Sequence, residues 1–169
     1  DRLVLGGITY TSGDELQQLA WSDAADLEDF TTGTAGALTI GDAVGDISRM
    51  EVLGDQLAIF TTTSIHMMAN IGGAITMSMR TAATNLGVFS RRCAVFLKGI
   101  CFFMSREGFF SFDGVSVKEI GKVVGKQLRE EIDTANPHQA FAYHHESRER
   151  IYWVVPTTDA SFEVTYFVM

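Results

Sequence analysis

Three times in this chain a short apolar strand opens at the same point of a repeated pattern, and that recurrence constrains the fold more than any other feature. Met50 to Leu53 runs into the turn pair Gly54-Asp55, then Gln56 to Phe60, a polar Thr61 to Ser64, and Ile65 to Met68. Cys93 to Leu97 runs into Lys98-Gly99, then Ile100 to Met104, a polar Ser105 to Gly108, and Phe109 to Phe112. A looser copy takes Ala140 to Tyr143, the polar HHESRER, Ile151 to Val155, Pro156 to Ala160 and Phe162 to Val168. The second strands begin at Leu57, Ile100 and Ile151, which are 43 and then 51 residues apart. A degraded copy stands in front, with Arg2 to Gly7 as one strand, a loop containing Ser12-Gly13-Asp14, and Gln17 to Trp21 as the partner. Meanders of three or four short strands joined by turns of two to five residues, repeated every ~40–50 residues, are the pattern of a β-propeller.

The stretch GICFFMSREGFFSFDG sharpens this. Ile100, Phe102 and Met104 point one way, Cys101 and Phe103 the other, so the strand is apolar on both faces. A sheet with one solvated face alternates apolar with polar. Blades packed between neighbouring blades lose water on both sides, and Phe102 is expected to be buried there. One helical insert interrupts the strands: Val124, Leu128 and Ile132 lie four apart over residues 123–133, and Asn136-Pro137 is expected to close it. A single helix among so many strands excludes a doubly wound sheet, which needs a helix at each crossover.

The fold expected is therefore all-β, with units near residues 2–31, 46–80, 90–120 and 139–168 inside one propeller domain spanning 1–169. Propellers have about four to eight full blades, so these partial units need more chain or partner chains to close a circle. The sequence opens inside RLVLGG and closes inside FEVTYFVM, both strand-like, and is expected to be a segment of a longer polypeptide.

With 46% hydrophobic and 20% charged residues the chain is globular in composition, and its net charge of −8 argues against gripping a phosphate backbone. Arg91-Arg92 is a short basic pair of the kind found at solvated strand ends. No apolar run approaches the ~18 residues of a membrane span, and no leader pattern is present. If Lys98-Gly99 is a two-residue turn, Leu97 faces Ile100 and Phe96 faces Cys101. Cys93 then falls near Met104, and the two thiols, Cys93 and Cys101, are not opposed for a disulfide.

No motif for chemistry stands out. Asp23, Asp26, Glu28 and Asp29 lack the alternating spacing and central glycine of a calcium loop, and are expected to bond their own backbone in turns. His144 and His145 fall on opposite faces of a strand, His66 and His138 stand apart, and neither HExxH nor CxxC occurs. There is no GxSxG elbow, GxGxxG or GxxxxGK[ST]. No catalytic, cofactor or metal residues are assigned, and no enzymatic activity is expected. Trp21, Trp153 and Tyr152 lie in strand patterns, where stacking on a sugar and packing in a core read alike.

The series LAWSDAADLEDF, GDQLAIFTTTSIHMM, GICFFMSREGFFSFDG and RERIYWVVP resembles the β-propeller virion proteins of short-tailed bacteriophages, the head-to-tail stabilising and tail nozzle (tail tubular) proteins. The residues that carry the resemblance are Trp21, Ser22, Asp23, Gly54, Asp55, Phe102, Gly108, Phe110, Phe112, Asp113, Gly114 and Trp153. Ala24 stands where the family's turn commonly has proline, and Phe30 where tryptophan is usual. The resemblance implies a structural virion component of the tail or neck, assembled in the host cytoplasm. Its partners would be other tail or neck proteins and copies of itself in a ring, commonly a hexamer, with DNA passing nearby without specific binding and with no membrane involved. The Thr31–Asp46 segment, the Asn70–Ala74 turn and the Leu128 helix are the expected contact elements, and Thr32 to Gly41 is expected to be dispensable for folding. A carbohydrate- or receptor-binding tail propeller is the alternative; a propeller glycosidase would need a carboxylate pair across a pocket.

Overall fold

The computed structural model describes residues 2–10, 13–41, 45–73, 76–158 and 164–168. Its strands form four separate antiparallel sheets in chain order, each a meander. Sheet 1 holds β1 (Val4–Tyr10), β2 (Gly13–Trp21) and β3 (Gly36–Thr39). Sheet 2 holds β4 (Ile47–Leu53), β5 (Gln56–Thr61), β6 (Ser64–Asn70) and β7 (Met77–Thr84). Sheet 3 holds β8 (Ala94–Leu97), β9 (Ile100–Ser105), β10 (Gly108–Phe112) and β11 (Val117–Ile120). Helix α1 (Lys122–Glu131) leads to sheet 4, made of β12 (Phe141–His145), β13 (Arg150–Val155) and β14 (Val164–Val168).

Turn chemistry sets the registers. Lys98 and Gly99 both take positive φ, 51° and 78°, as a type I′ hairpin requires. Leu97 accordingly pairs with Ile100 and Phe96 with Cys101, and the Cys93 carbonyl accepts a hydrogen bond from the Met104 amide. Both cysteines are buried free thiols. Between β4 and β5, Gly54 has φ 69° and Leu53 pairs with Gln56.

The sheets stack face to face. On sheet 2, Leu57, Ile59, Met68 and Met79 point toward sheet 1, where they meet Leu19, Ile40 and Val4. Their neighbours along the strands, Ala58, Phe60, Ile65 and Met67, point the other way into sheet 3. Phe60 meets Phe96, Phe103 and Phe112 edge-on, at centroid distances of 5.9, 5.7 and 6.2 Å. Sheet 3 presents its opposite face, with Phe109 and Met104, to sheet 4, where Trp153 lies 5.0 Å from Phe109 and its indole N–H donates to the Cys93 carbonyl at 3.1 Å. Five consecutive residues of β6, Ser64 to Met68, are buried, because both faces of the strand are covered.

The first strands of successive sheets lie together. β1 adjoins β4 and β8 adjoins β12, while Arg49 of β4 sits over the Phe96 ring of β8 at 5.2 Å. The Ala142 amide donates to the Arg92 carbonyl at 2.8 Å across the junction of sheets 3 and 4.

Three expectations change. Phe102 is half-buried, since sheet 4 covers Met104 and Phe109 on its face of sheet 3 more completely. The stretch Thr31–Asp46 is not free loop: Gly36–Thr39 pairs with β2, and Ile40 is 1% exposed in the core between sheets 1 and 2. Removing Thr32 to Gly41 would strip a sheet edge and a core residue, so that segment is not dispensable for folding. The helix ends at Glu131, five residues before Asn136; Ile132 turns extended to bridge Thr157, and Pro137 instead starts a 3₁₀ turn, Pro137–Gln139. The sheets have three or four strands each, as the meander pattern predicts, with β7 and β11 as the fourth strands of sheets 2 and 3.

Candidate functional site

The residues that carry the family resemblance divide into turn-makers and core, and they are spread over all four sheets. At the end of β2, Ser22 is buried; its hydroxyl accepts from the Leu3 amide at 3.0 Å and donates to the Asp23 carbonyl at 3.1 Å. Trp21 donates through its indole N–H to the Thr34 carbonyl at 3.1 Å. The Asp23 carboxylate accepts from the Thr34 hydroxyl at 2.5 Å, the Thr34 amide at 2.7 Å and the Ala25 amide at 3.0 Å. Those donors, the Thr34 hydroxyl foremost, hold its pKa far below the usual carboxylate range. Arg2 closes the corner by donating to the Ser22 and Thr34 carbonyls.

Asp29 repeats the device, accepting from the Thr31 and Thr32 amides at 2.7 and 3.0 Å and from both hydroxyls; the Thr32 hydroxyl is the main cause of a pKa lowered to about 2. Asp26 accepts from the Glu28 amide at 2.9 Å. These carboxylates are engaged with their own loop, as the turn reading expects. Among the described residues no three His, Cys, Asp or Glu side chains group as a metal site would require.

Gly54 and Asp55 form the β4–β5 turn. Gly108, at the start of β10, faces Gly125 of the helix, where an added Cβ would lie 3.5 Å from the Gly125 Cα. Phe110 is half-buried and stacked on Phe103 at 5.7 Å, while Phe112 is fully buried. Asp113 caps the β10–β11 turn, accepting from the Val115 and Ser116 amides at 2.9 and 2.7 Å, and the Ser116 amide is the main cause of its lowered pKa. Arg80 of sheet 2 donates to the Gly114 carbonyl, tying that turn to the neighbouring sheet. Trp153 is fully buried. Turn bonds and core packing account for these residues, which shape and join the sheets.

Two surface features lie outside that set. The outer face of sheet 4 carries a ladder of aromatic rings. Tyr143 stacks on Tyr152 at 5.2 Å and 13°, and Phe141 on Tyr143 at 6.4 Å and 26°, with Phe141 and Tyr143 being 38% and 43% exposed. Arg148, ahead of Arg150, lowers the Tyr152 pKa through a hydrogen bond to its hydroxyl. The second feature is a hollow of about 730 Å³ lined by sheets 1 and 2 and by the segments leading into sheets 3 and 4, including Gly6, Ser48, Arg91, Arg92 and His138. The alternation of Phe141 and Tyr143 was available as a sequence signal for the ladder. The hollow draws on residues up to 132 positions apart, and no local pattern marks it.

Charge is distributed unevenly over the chain. Residues 1–46 hold nine carboxylates against one arginine, and the remainder twelve against twelve, so the whole net charge of −8 belongs to the part that builds sheet 1. Among the described residues no helix is long and apolar enough to cross a membrane. No protein-family model matches the chain, and no curated protein matches it.

Proposed function

We propose that this chain is part of a β-propeller and serves as a structural component of a bacteriophage tail or neck, as a nozzle or head-to-tail connector acting through protein–protein contacts. The observation that carries the reading is the way the sheets succeed one another. Each meander packs face to face on the next, the middle two are covered on both sides, and their first strands adjoin as strands nearest a common axis would. The motifs of the resemblance fall in order on these sheets: Trp21-Ser22-Asp23 at the end of β2, Gly54-Asp55 before β5, Ser105 to Gly114 through β10, and Tyr152-Trp153 in β13.

The end faces also fit a longer assembly. Leu5 on sheet 1 is 43% exposed, matching Tyr143 on sheet 4, so both ends of the stack leave apolar surface for further units or a neighbouring protomer. A ring of copies around a DNA channel is the expected state, located in the virion, with an excess of carboxylates in residues 1–46 that disfavours a clinging DNA backbone. Electron-microscopy class averages of the purified full-length protein test this: radial sheet units around an open channel are expected, and a particle without radial symmetry would contradict the assignment.

The aromatic ladder of Phe141, Tyr143 and Tyr152 favours a second reading, a carbohydrate- or receptor-binding tail module. A glycan array discriminates: specific binding abolished by Tyr143→Ala would support it, and the absence of any glycan signal would remove it.

A further inference from the structure

Arg49, Arg91 and Arg92 lie where sheets 2, 3 and 4 meet. Arg91 and Arg92 occupy the tip of a turn closed by the Cys93 amide donating to the Ser90 carbonyl at 2.9 Å. Both tip carbonyls are taken by neighbouring sheets: Arg49 of sheet 2 donates to the Arg91 carbonyl at 3.2 Å, and Ala142 of sheet 4 to the Arg92 carbonyl. The tip is thus fixed from two sides before any ligand arrives.

Arg91 and Arg92 both line the 730 Å³ hollow, and among the described residues no carboxylate lines it with them. Among the described residues the ion pair formed is Arg49 with Glu51 at 3.3 Å, which leaves the two tip guanidiniums without a carboxylate. His138 stands on the same wall, and Leu16, Phe89 and Pro137 supply an apolar one.

We propose that this hollow binds a small organic anion with a phosphate-like head group. A guanidinium fork matches the oxygen spacing of phosphate and donates two parallel bonds, so two arginines on the wall of one hollow suit an anionic head group. An apolar wall beside a charged corner is the composition of a small-molecule site, in which the wall holds the organic body and the charge orients it. The lining comes from four separate stretches of the sequence, so the site forms only in the folded chain.

Isothermal titration at matched ionic strength, with inorganic phosphate and with phenyl phosphate, tests the proposal. Both probes should bind, phenyl phosphate more tightly because its ring meets Leu16 and Pro137. The double substitution Arg91→Gln/Arg92→Gln should weaken both by at least about tenfold, while Lys98→Gln on the exposed hairpin changes nothing. Arg91→Lys/Arg92→Lys should keep part of the affinity, since charge remains but the fork is lost. Circular dichroism confirms that each variant is folded. Absence of heat with both probes, or equal affinity in the Gln double variant, overturns the site. Displacement of phenyl phosphate by a short DNA duplex would overturn the small-ligand assignment, placing a backbone phosphate there instead.

Discussion

Ile59 and Phe60 are neighbours in β5 that point into different cores, and replacing each by alanine measures the two faces of sheet 2 separately. Phe60 is fully buried among three aromatic rings on the side of sheet 3. Burial of such a side chain contributes roughly 1.5–3 kcal/mol, edge-to-face rings add to it, and the cavity left in a packed core brings the cost of Phe60→Ala to about 3–5 kcal/mol. Ile59 is equally buried, against Leu19 and Met68 on the side of sheet 1, and Ile59→Ala should cost about 2–5 kcal/mol. Phe102, only partly exposed, keeps most of the transfer term but leaves a smaller void, so Phe102→Ala should cost less, about 1–2.5 kcal/mol. Urea unfolding with unchanged slopes gives all three values. A loss below about 1 kcal/mol at either Ile59 or Phe60 would mean that one face of the sheet is open, and the stacking argument would fail on that side.

Cys93 and Cys101 should resist iodoacetamide in the folded protein and react on denaturation, because burial raises both thiols, Cys93 to about 12; rapid native labelling of either would refute this. Gly87 should not tolerate alanine, since a Cβ there would lie 2.3 Å from the Thr61 carbonyl oxygen, a backbone atom. A destabilisation of about 1–3 kcal/mol or more is expected in thermal unfolding, and a neutral result would contradict the close approach. Acid should weaken the fold through Asp23 and Asp29. Their folded pKa values lie below the ordinary 3.8, so their stabilisation is present above that value and is lost as pH falls through about 2 for Asp29 and lower still for Asp23. Asp29→Asn should flatten the acid-unfolding curve in that range, and an unchanged curve would show that the loop bonds do not couple to folding.

The all-β class and the hairpin registers were legible because turn chemistry is local. Lys98-Gly99 admits one register, and with it the pairing of Phe96 with Cys101 and the separation of the two thiols. The two-sided apolar pattern of β9 likewise pointed to sheets covered front and back. Alternation assigns a face but not the reach of the neighbouring sheet, which is why Phe102 is less buried than its pattern indicated. β3 was hidden because GALT has weak strand propensity and is held by pairing to β2 and by Ile40 beyond it. The helix stops short of its proline because Ile132 is drawn into an extended bridge with Thr157, a contact formed across 25 residues. The arginine-lined hollow escaped for the same reason: Arg91-Arg92 acquires its setting from Arg49 and Ala142, neither of which is adjacent in sequence.

Met67 and Met68 offer the most direct measurement, being consecutive residues of identical chemistry on opposite faces of β6, 2% and 3% exposed. Thioether oxidation follows exposure. In oxidative footprinting with mass-spectrometric readout, both should be modified at least about tenfold more slowly in the folded chain than in the unfolded one. Protection of one, with the other oxidising at the unfolded rate while the fold persists, would contradict a sheet enclosed on both sides.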